Sequence, residues 1–289
     1  MKTKSFYSDL SLLLLNIVWG YCFLIIKDLL FTVKPFTIIA IRFGLAFLLL
    51  IPFQFKSLYK LTKKEFLSYS YCGLALASGF SFQTIGISYT QPGKSGILTG
   101  LLVVFVPFIH SFFFKEKIGL FSILGAFISF IGLCFFSIDS ILNFNFKIGD
   151  LFLIGGAILY ALHIVLIENV YRSFNETKEI ELATVQIGIC FLFGIIFSFI
   201  FGWSINNLNS LTLFKLLYLS LLGSLLAYIV QSWAQKTSPP SHVGVILCTE
   251  AIFAYIFSYF LLGESLTPEM FTGAIIIFIG MLVIQKSKT

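Results

Sequence analysis

The sequence predicts an all-α integral membrane protein: ten transmembrane helices, arranged as two inverted five-helix repeats. Three observations carry this. Mean hydropathy is +0.99 with only 11% charged residues, ten apolar runs reach spanning length, and the two halves resemble each other. A soluble domain keeps roughly a quarter of its residues charged to cover a water-facing surface. This chain cannot cover one, so most of its exterior must face lipid.

A hydrocarbon core of about 30 Å needs around 20 apolar residues per helix. The runs fall at 9–29, 35–55, 66–88, 94–114, 119–138, 149–171, 181–203, 212–235, 242–262 and 268–286. Pro35 opens the second run, Gln91-Pro92-Gly93 precedes the fourth, Ser238-Pro239-Pro240 precedes the ninth, and Pro268 opens the tenth. The first run is too long for a cleaved signal and no small-residue cleavage site follows it, so it reads as a span.

The net charge of +6 suits orientation in a bilayer better than nucleic-acid binding, because the cations lie between apolar runs. With the N-terminus inside, thirteen Lys and Arg fall in cytoplasmic segments and five in outer ones, with Lys56 to Lys64 carrying much of the bias. Both termini are therefore expected in the cytoplasm. The five cysteines (Cys22, Cys72, Cys134, Cys190, Cys248) sit in separate apolar runs without metal-ligand spacing, as small core hydrophobes would.

The segment IAIRFGLAFLLLIPF (39–53) aligns without gaps on ATVQIGICFLFGIIF (183–197). Gly44 then matches Gly188, and Phe47 matches Phe191. Asp9-Leu10 pairs with Asp150-Leu151, and Pro92, Gly96 and Glu116 pair with Pro240, Gly244 and Glu264. Each half, 1–142 and 143–289, carries five runs. Five is odd, so the second half enters from the opposite side. Inverted repeats are the architecture of many secondary transporters, with the substrate site near the midplane between the halves.

The blocks DLSLLLLNIVWGYCFLIIK, RFGLAFLLL, QTIGISYTQPGKSGILTGLLVVFVPFIHSFFFKEK and EAIFAYIFSYFLLGESLTPEMFTGAIIIFIG make the chain resemble EamA-type transporters of the drug/metabolite transporter superfamily. The resemblance spans nearly the whole length. It implies a multi-pass carrier of the bacterial inner membrane that exports amino acids, metabolites or drugs and needs no cofactor. One departure stands out: that family often has Pro after the acid of the ninth span, and here the position is Ala251. Ala continues a helix and Pro does not, so the sequence leaves open whether this helix is broken.

The candidate pathway residues are the polar and aromatic groups within the runs. Asp9, Asn16, Trp19, Gly20, Phe23 and Lys27 share one helical face. Asp9 and Lys27 fit snorkelling ends, whereas Asn16 and Trp19 lie deep enough to line a pathway. Arg42 sits two turns inside the second run, where insertion scales charge about 2.5–3.5 kcal/mol for a cation. Backbone carbonyls are its expected partners, and its repeat counterpart is the uncharged Gln186. Tyr160 and His163 share a stripe with Gly156, and Gln83, Thr99, Tyr228 and Gln231 add polar atoms in the third, fourth and eighth runs. In the ninth run Ile246, Phe253, Phe257 and Phe260 form a stripe expected to face lipid; Gly244, Cys248, Ala251, Tyr255 and Ser258 form one expected to face protein. Glu250 lies between them. An ionised carboxylate facing acyl chains is untenable, so it faces protein or water, or is protonated. Its repeat counterpart is Leu102.

The leading function is an exporter of small metabolites such as amino acids or drug-like compounds by alternating access, with a small-molecule substrate, the bilayer as surroundings and no nucleic acid. Monomer and homodimer both fit. An importer or exchanger of a nucleotide-like or vitamin-like solute is the alternative, since Trp19, Tyr160 and Tyr255 could stack on a ring. No phosphate-cradling loop, HExxH or GxSxG is present, which weighs against ATP-driven transport and against a membrane enzyme. A helix-packing scaffold leaves a buried Arg and Glu unexplained.

Overall fold

The computed structural model of the chain describes residues 2–136, 147–206, 208–263, 267–284 and 286. The boundary between the halves at 142/143, the partner Glu264 and the terminal Lys288 lie outside the described residues. The described helices are α1 (Lys2–Leu29), α2 (Pro35–Leu58), α3 (Lys63–Tyr89), α4 (Pro92–Gly100), α5 (Leu102–Phe114), α6 (Leu120–Phe136) and α7 (Ile148–Ser173). They continue as α8 (Glu179–Phe201), α9 (Ser210–Ser220), a π-helical segment (Leu221–Leu226), α10 (Ala227–Gln235), α11 (Pro240–Leu247), α12 (Glu250–Leu262) and α13 (Pro268–Ile284).

Among the described residues, seven stretches are long and apolar enough to cross a membrane: Phe6–Leu29, Pro35–Leu58, Pro92–Phe114, Ile148–Ser173, Glu179–Phe201, Ser210–Gln235 and Pro240–Leu262. Helix α3 is as long, at 27 residues, but more polar, and it turns Ser70, Ser81, Gln83 and Thr84 inward. Helices α6 and α13 are apolar and shorter. The prolines act as read from the sequence. Pro35, Pro92 and Pro240 each open a helix, where a missing N–H costs nothing. Thr62 and Glu65 close a capping box at the start of α3.

Many large apolar side chains point outward, as with Phe53 at 82% and Phe112 at 88% exposure, while the interior combines large apolar residues such as Phe23, Phe43 and Leu76 with small and polar ones. Association in lipid depends on close packing rather than on hiding oil from water. The helices pair in a regular pattern: α2 along α8, α6 along α13, α4 and α5 against α12 and α11, α3 along α7, and α1 against α10, α11 and α12. The α2–α8 contact is reciprocal. A Cβ on Gly44 would meet the Phe191 ring at 2.7 Å, and one on Gly188 would meet the Phe47 ring at 2.8 Å. Phe47 and Phe191 stack with centroids 6.1 Å apart. These four residues are the ones the internal alignment pairs.

Connections gather at two ends. At the end bearing Lys56 to Lys64, Arg172 bonds Glu116 and Glu168, His110 lies 3.0 Å from Glu168, and Lys236 bonds Glu179. Arg172 holds the Glu116 carboxyl below the usual carboxylate range. That pairing is therefore in place at neutral pH and is lost as pH falls through the depressed value. At the opposite end Lys94 pairs with Asp150 and Lys215 with Asp28.

Candidate functional site

Besides the stretch that passes through the π-helical segment, two long helical stretches among the described residues are interrupted, at the counterpart positions Gly100/Leu101 and Cys248/Thr249. Between α11 and α12 the backbone tightens: Thr249, Ala251 and Ile252 donate their N–H groups three residues back, to Ile246, Cys248 and Thr249. This resolves the question left by Ala251. The helix breaks without proline because side chains compete for its carbonyls. The Ile246 carbonyl accepts Asn16 Nδ2 at 2.6 Å and Thr249 Oγ1 at 2.8 Å besides the Thr249 N–H. Asn16 also reaches Thr249 Oγ1 at 2.8 Å. Glu250 thus opens a new helix, at the positive end of its dipole.

The break also corrects the expected lipid stripe of the ninth run. Ile246 is 1% exposed and Phe257 packs on Tyr21, so of that stripe Phe260, at 73%, is the strongly lipid-facing member. A periodicity drawn across 246–260 assumes a continuous helix, and the tightened turn rotates one half against the other.

Around Glu250 lies a space of about 50 Å³, walled by α1, α2, α3, α4, α5, α7, α10, α11 and α12. Trp19, Arg42, Gln83, Thr99, Tyr160, His163, Tyr228, Gln231 and Glu250 all line it. These nine come from seven separate stretches of the sequence. Two expected residues are elsewhere. Asn16 is fully buried against the α11–α12 break, and Tyr255 packs over Gly93, where a Cβ would approach its ring to 2.8 Å. Leu102, the counterpart of Glu250, lines the same space, as do Phe80 and Leu247, which sequence reasoning did not single out.

The two charges are held differently. Arg42 donates from Nε to Ser224 Oγ at 2.9 Å and from one terminal nitrogen to the Gly223 carbonyl at 2.9 Å. Its guanidinium lies 4.4 Å from the Phe80 ring centroid and 5.0 Å from that of Phe43. The π-helical segment supplies both acceptors, and Trp19 Nε1 shares the Gly223 carbonyl at 3.1 Å. Such bulges loosen the carbonyl ladder and frequently mark functional positions. The Gly-Ser pair in a run of leucines is the one sequence cue to this anchor. Glu250, by contrast, makes no hydrogen bond or ion pair among the described residues, so its carboxylate meets the cavity alone. Nearby, Tyr160 donates to Gln83 Oε1 at 3.0 Å, Gln83 reaches Thr99, and the His163 imidazole bonds Gln186 Oε1. Gln231 Oε1 is buried without a hydrogen-bond partner among the described residues. Aromatic edges from Trp19, Phe80 and His163 surround Tyr228, at centroid distances of 5.9–6.2 Å.

A second, polar space of about 470 Å³ opens at the basic end between α5, α6, α7 and α11, lined by His110, Glu168, Arg172, Gln235 and His242 among others. Helix α10 connects the two, with Gln231 in the central cavity and Gln235 at the vestibule one turn on. A water needs about 10–15 Å³ of such volume. The central space therefore has room for a few waters, and the vestibule has room for a small solute. Among the described residues no group of three or more His, Cys, Asp or Glu side chains could hold a metal ion.

Comparison with known proteins bears on the whole chain. Residues 6–138 and again 147–285 match the EamA-like transporter family. An uncharacterized transporter of Archaeoglobus fulgidus is 30% identical over 98% of this chain and 87% of its own. The uncharacterized transporter YoaV of Bacillus subtilis is 23% identical over 94% of each. A solved structure titled only as the crystal structure of a protein superposes with a TM-score of 0.74 at 14% identity, covering 96% of this chain and 97% of the other. That last likeness concerns the fold alone.

Proposed function

The chain belongs to the EamA-like transporter family, and from that premise we propose a secondary transporter that exports small zwitterionic or amphipathic metabolites, amino acids foremost, by alternating access. Ten membrane crossings form two inverted five-helix halves in this reading. The reciprocal Gly44–Phe191 and Gly188–Phe47 packing and the paired interruptions at 100/101 and 248/249 support that symmetry. The carrying observation for transport is the cavity itself. Glu250, whose carboxylate has no hydrogen bond or ion pair among the described residues, and Arg42, a guanidinium with donors to spare, line one space inside a lipid-facing shell. Arg42 commits two of its five N–H donors to protein. A solute ammonium suits Glu250 and a solute carboxylate suits Arg42, while Trp19, Phe80, Tyr160 and Tyr228 offer aromatic walls to an apolar side chain. The same walls favour a flat ring, which keeps a nucleotide-like or vitamin-like solute as the second reading.

Trp19→Ala and Tyr160→Ala should each lower transport at least about tenfold, as expected for losing an aromatic contact worth about 1.4 kcal/mol. Counterflow in proteoliposomes with a labelled panel of amino acids, nucleosides and vitamins measures this. Unchanged rates in both variants would mean that the cavity is not the transport site.

Orientation follows from the cation bias, with both termini in the cytoplasm of a bacterial inner-membrane protein. In a cysteine-free background, Lys60→Cys should react with an impermeant thiol reagent only after cells are permeabilised. Labelling of intact cells would reverse the orientation.

A further inference from the structure

On the membrane-facing side, α7 floors a trough of about 620 Å³ walled by α3 and by the end of α5. Leu159, Leu162 and Leu166 form the floor and Phe113 the α5 wall. Along α3 the trough runs from Ser68 to Ser78. At 1.5 Å per residue that is about 15 Å, half of a hydrocarbon core of about 30 Å. Its depth is thus that of one leaflet. Its polar end, at Ser68 on α3 and Asn169 on α7, points toward the basic end of the molecule.

Two lysines flank that end. Lys64 lies one turn before Ser68 on the same α3 stripe, and Lys115, in a left-handed conformation with φ 56°, closes α5 just beyond Phe113. Both are exposed, and neither forms an ion pair among the described residues. The neighbouring acids are engaged elsewhere: Glu65 caps Thr62, and Glu116 and Glu168 hold Arg172. An apolar trough one leaflet deep, topped by two uncompensated ammonium groups at headgroup level, is complementary to a lipid with a net negative head.

We propose that this trough is a specific site for an anionic phospholipid of the leaflet at the basic end. One acyl chain lies over the α7 leucines, and the phosphate sits between Lys64 and Lys115. A zwitterionic lipid would bring its own ammonium against the lysines, so the site discriminates by headgroup charge. Because α3 and α5 belong to the first half and α7 to the second, the bound lipid bridges the two.

Native mass spectrometry on the full chain in neutral detergent tests the site, using phosphatidylglycerol and phosphatidylcholine of identical acyl chains. Each surface lysine contributes about 1 kcal/mol toward an anionic lipid, so two give a preference of about 30-fold for the glycerol head. The double variant Lys64→Gln/Lys115→Gln should erase that preference, whereas Lys56→Gln/Lys60→Gln, equal in charge but away from the trough, should keep it. Leu162→Trp, which fills the floor, should reduce retention of both lipids. Equal retention of the two lipids by the unmodified chain overturns the proposal, as does a preference that survives Lys64→Gln/Lys115→Gln or one that Lys56→Gln/Lys60→Gln also abolishes.

Discussion

Glu250→Gln should abolish transport while leaving the unfolding temperature within a degree or two of the parent, and the two readouts together give the result its meaning. The amide keeps the shape of the side chain. It breaks no hydrogen bond or ion pair, because the carboxylate makes none among the described residues, and it forgoes a helix-dipole interaction of about 0.3–1 kcal/mol. What it cannot do is carry a charge or a proton. Removing one partner of a desolvated charge pair costs about 2–5 kcal/mol, or at least about 30-fold in affinity for a cationic group. A variant with full transport would leave Glu250 a structural role; a variant that unfolds readily would reveal protein contacts that the geometry lacks.

Arg42 should behave in the opposite way. Arg42→Ala removes two charge-assisted hydrogen bonds to the π-helical segment and the contacts with Phe43 and Phe80. It leaves Trp19 as the side-chain donor to the Gly223 carbonyl among the described residues. Hydrogen bonds to a charged group are worth about 1.5–3 kcal/mol each, offset by relief of burying the cation. A net loss of about 3 kcal/mol in stability is expected, together with loss of transport. Arg42→Lys should rescue little, since an ammonium cannot reproduce the planar fork or the stacking between rings. The cysteines supply the readout: Cys22, Cys72, Cys190 and Cys248 are buried, so a thiol-reactive dye reports unfolding directly. An Arg42→Ala protein as stable as the parent would show that the π-segment anchor contributes nothing.

This division of labour was only partly legible in the sequence. Hydropathy gave the helical runs, and Pro35, Pro92, Pro240 and Pro268 gave their starts, because both are local properties of the chain. The ungapped match of 39–53 on 183–197 pointed to the Gly–Phe pairs that interlock α2 and α8. In lipid, polar side chains within apolar runs have few places to go, and nine of the eleven candidates meet in one cavity. What the sequence does not show is non-local. Asn16 lies outside the lining of that cavity, its amide donated to the Ile246 carbonyl, 230 positions away, at the break before Glu250. With the helix broken, the lipid-facing stripe through Ile246 does not hold, and Tyr255 faces protein at Gly93 rather than the cavity. The acceptors of Arg42 lie in a π-helical segment that leucine-rich periodicity does not announce.

Counterflow into proteoliposomes, comparing the parent with Glu250→Gln, tests the central claim most directly. The panel should contain neutral amino acids, organic cations and organic anions matched for size. The account predicts that zwitterionic amino acids with apolar or aromatic side chains exchange rapidly in the parent, and that Glu250→Gln exchanges none of them. Equal exchange by the parent and by Glu250→Gln would contradict it.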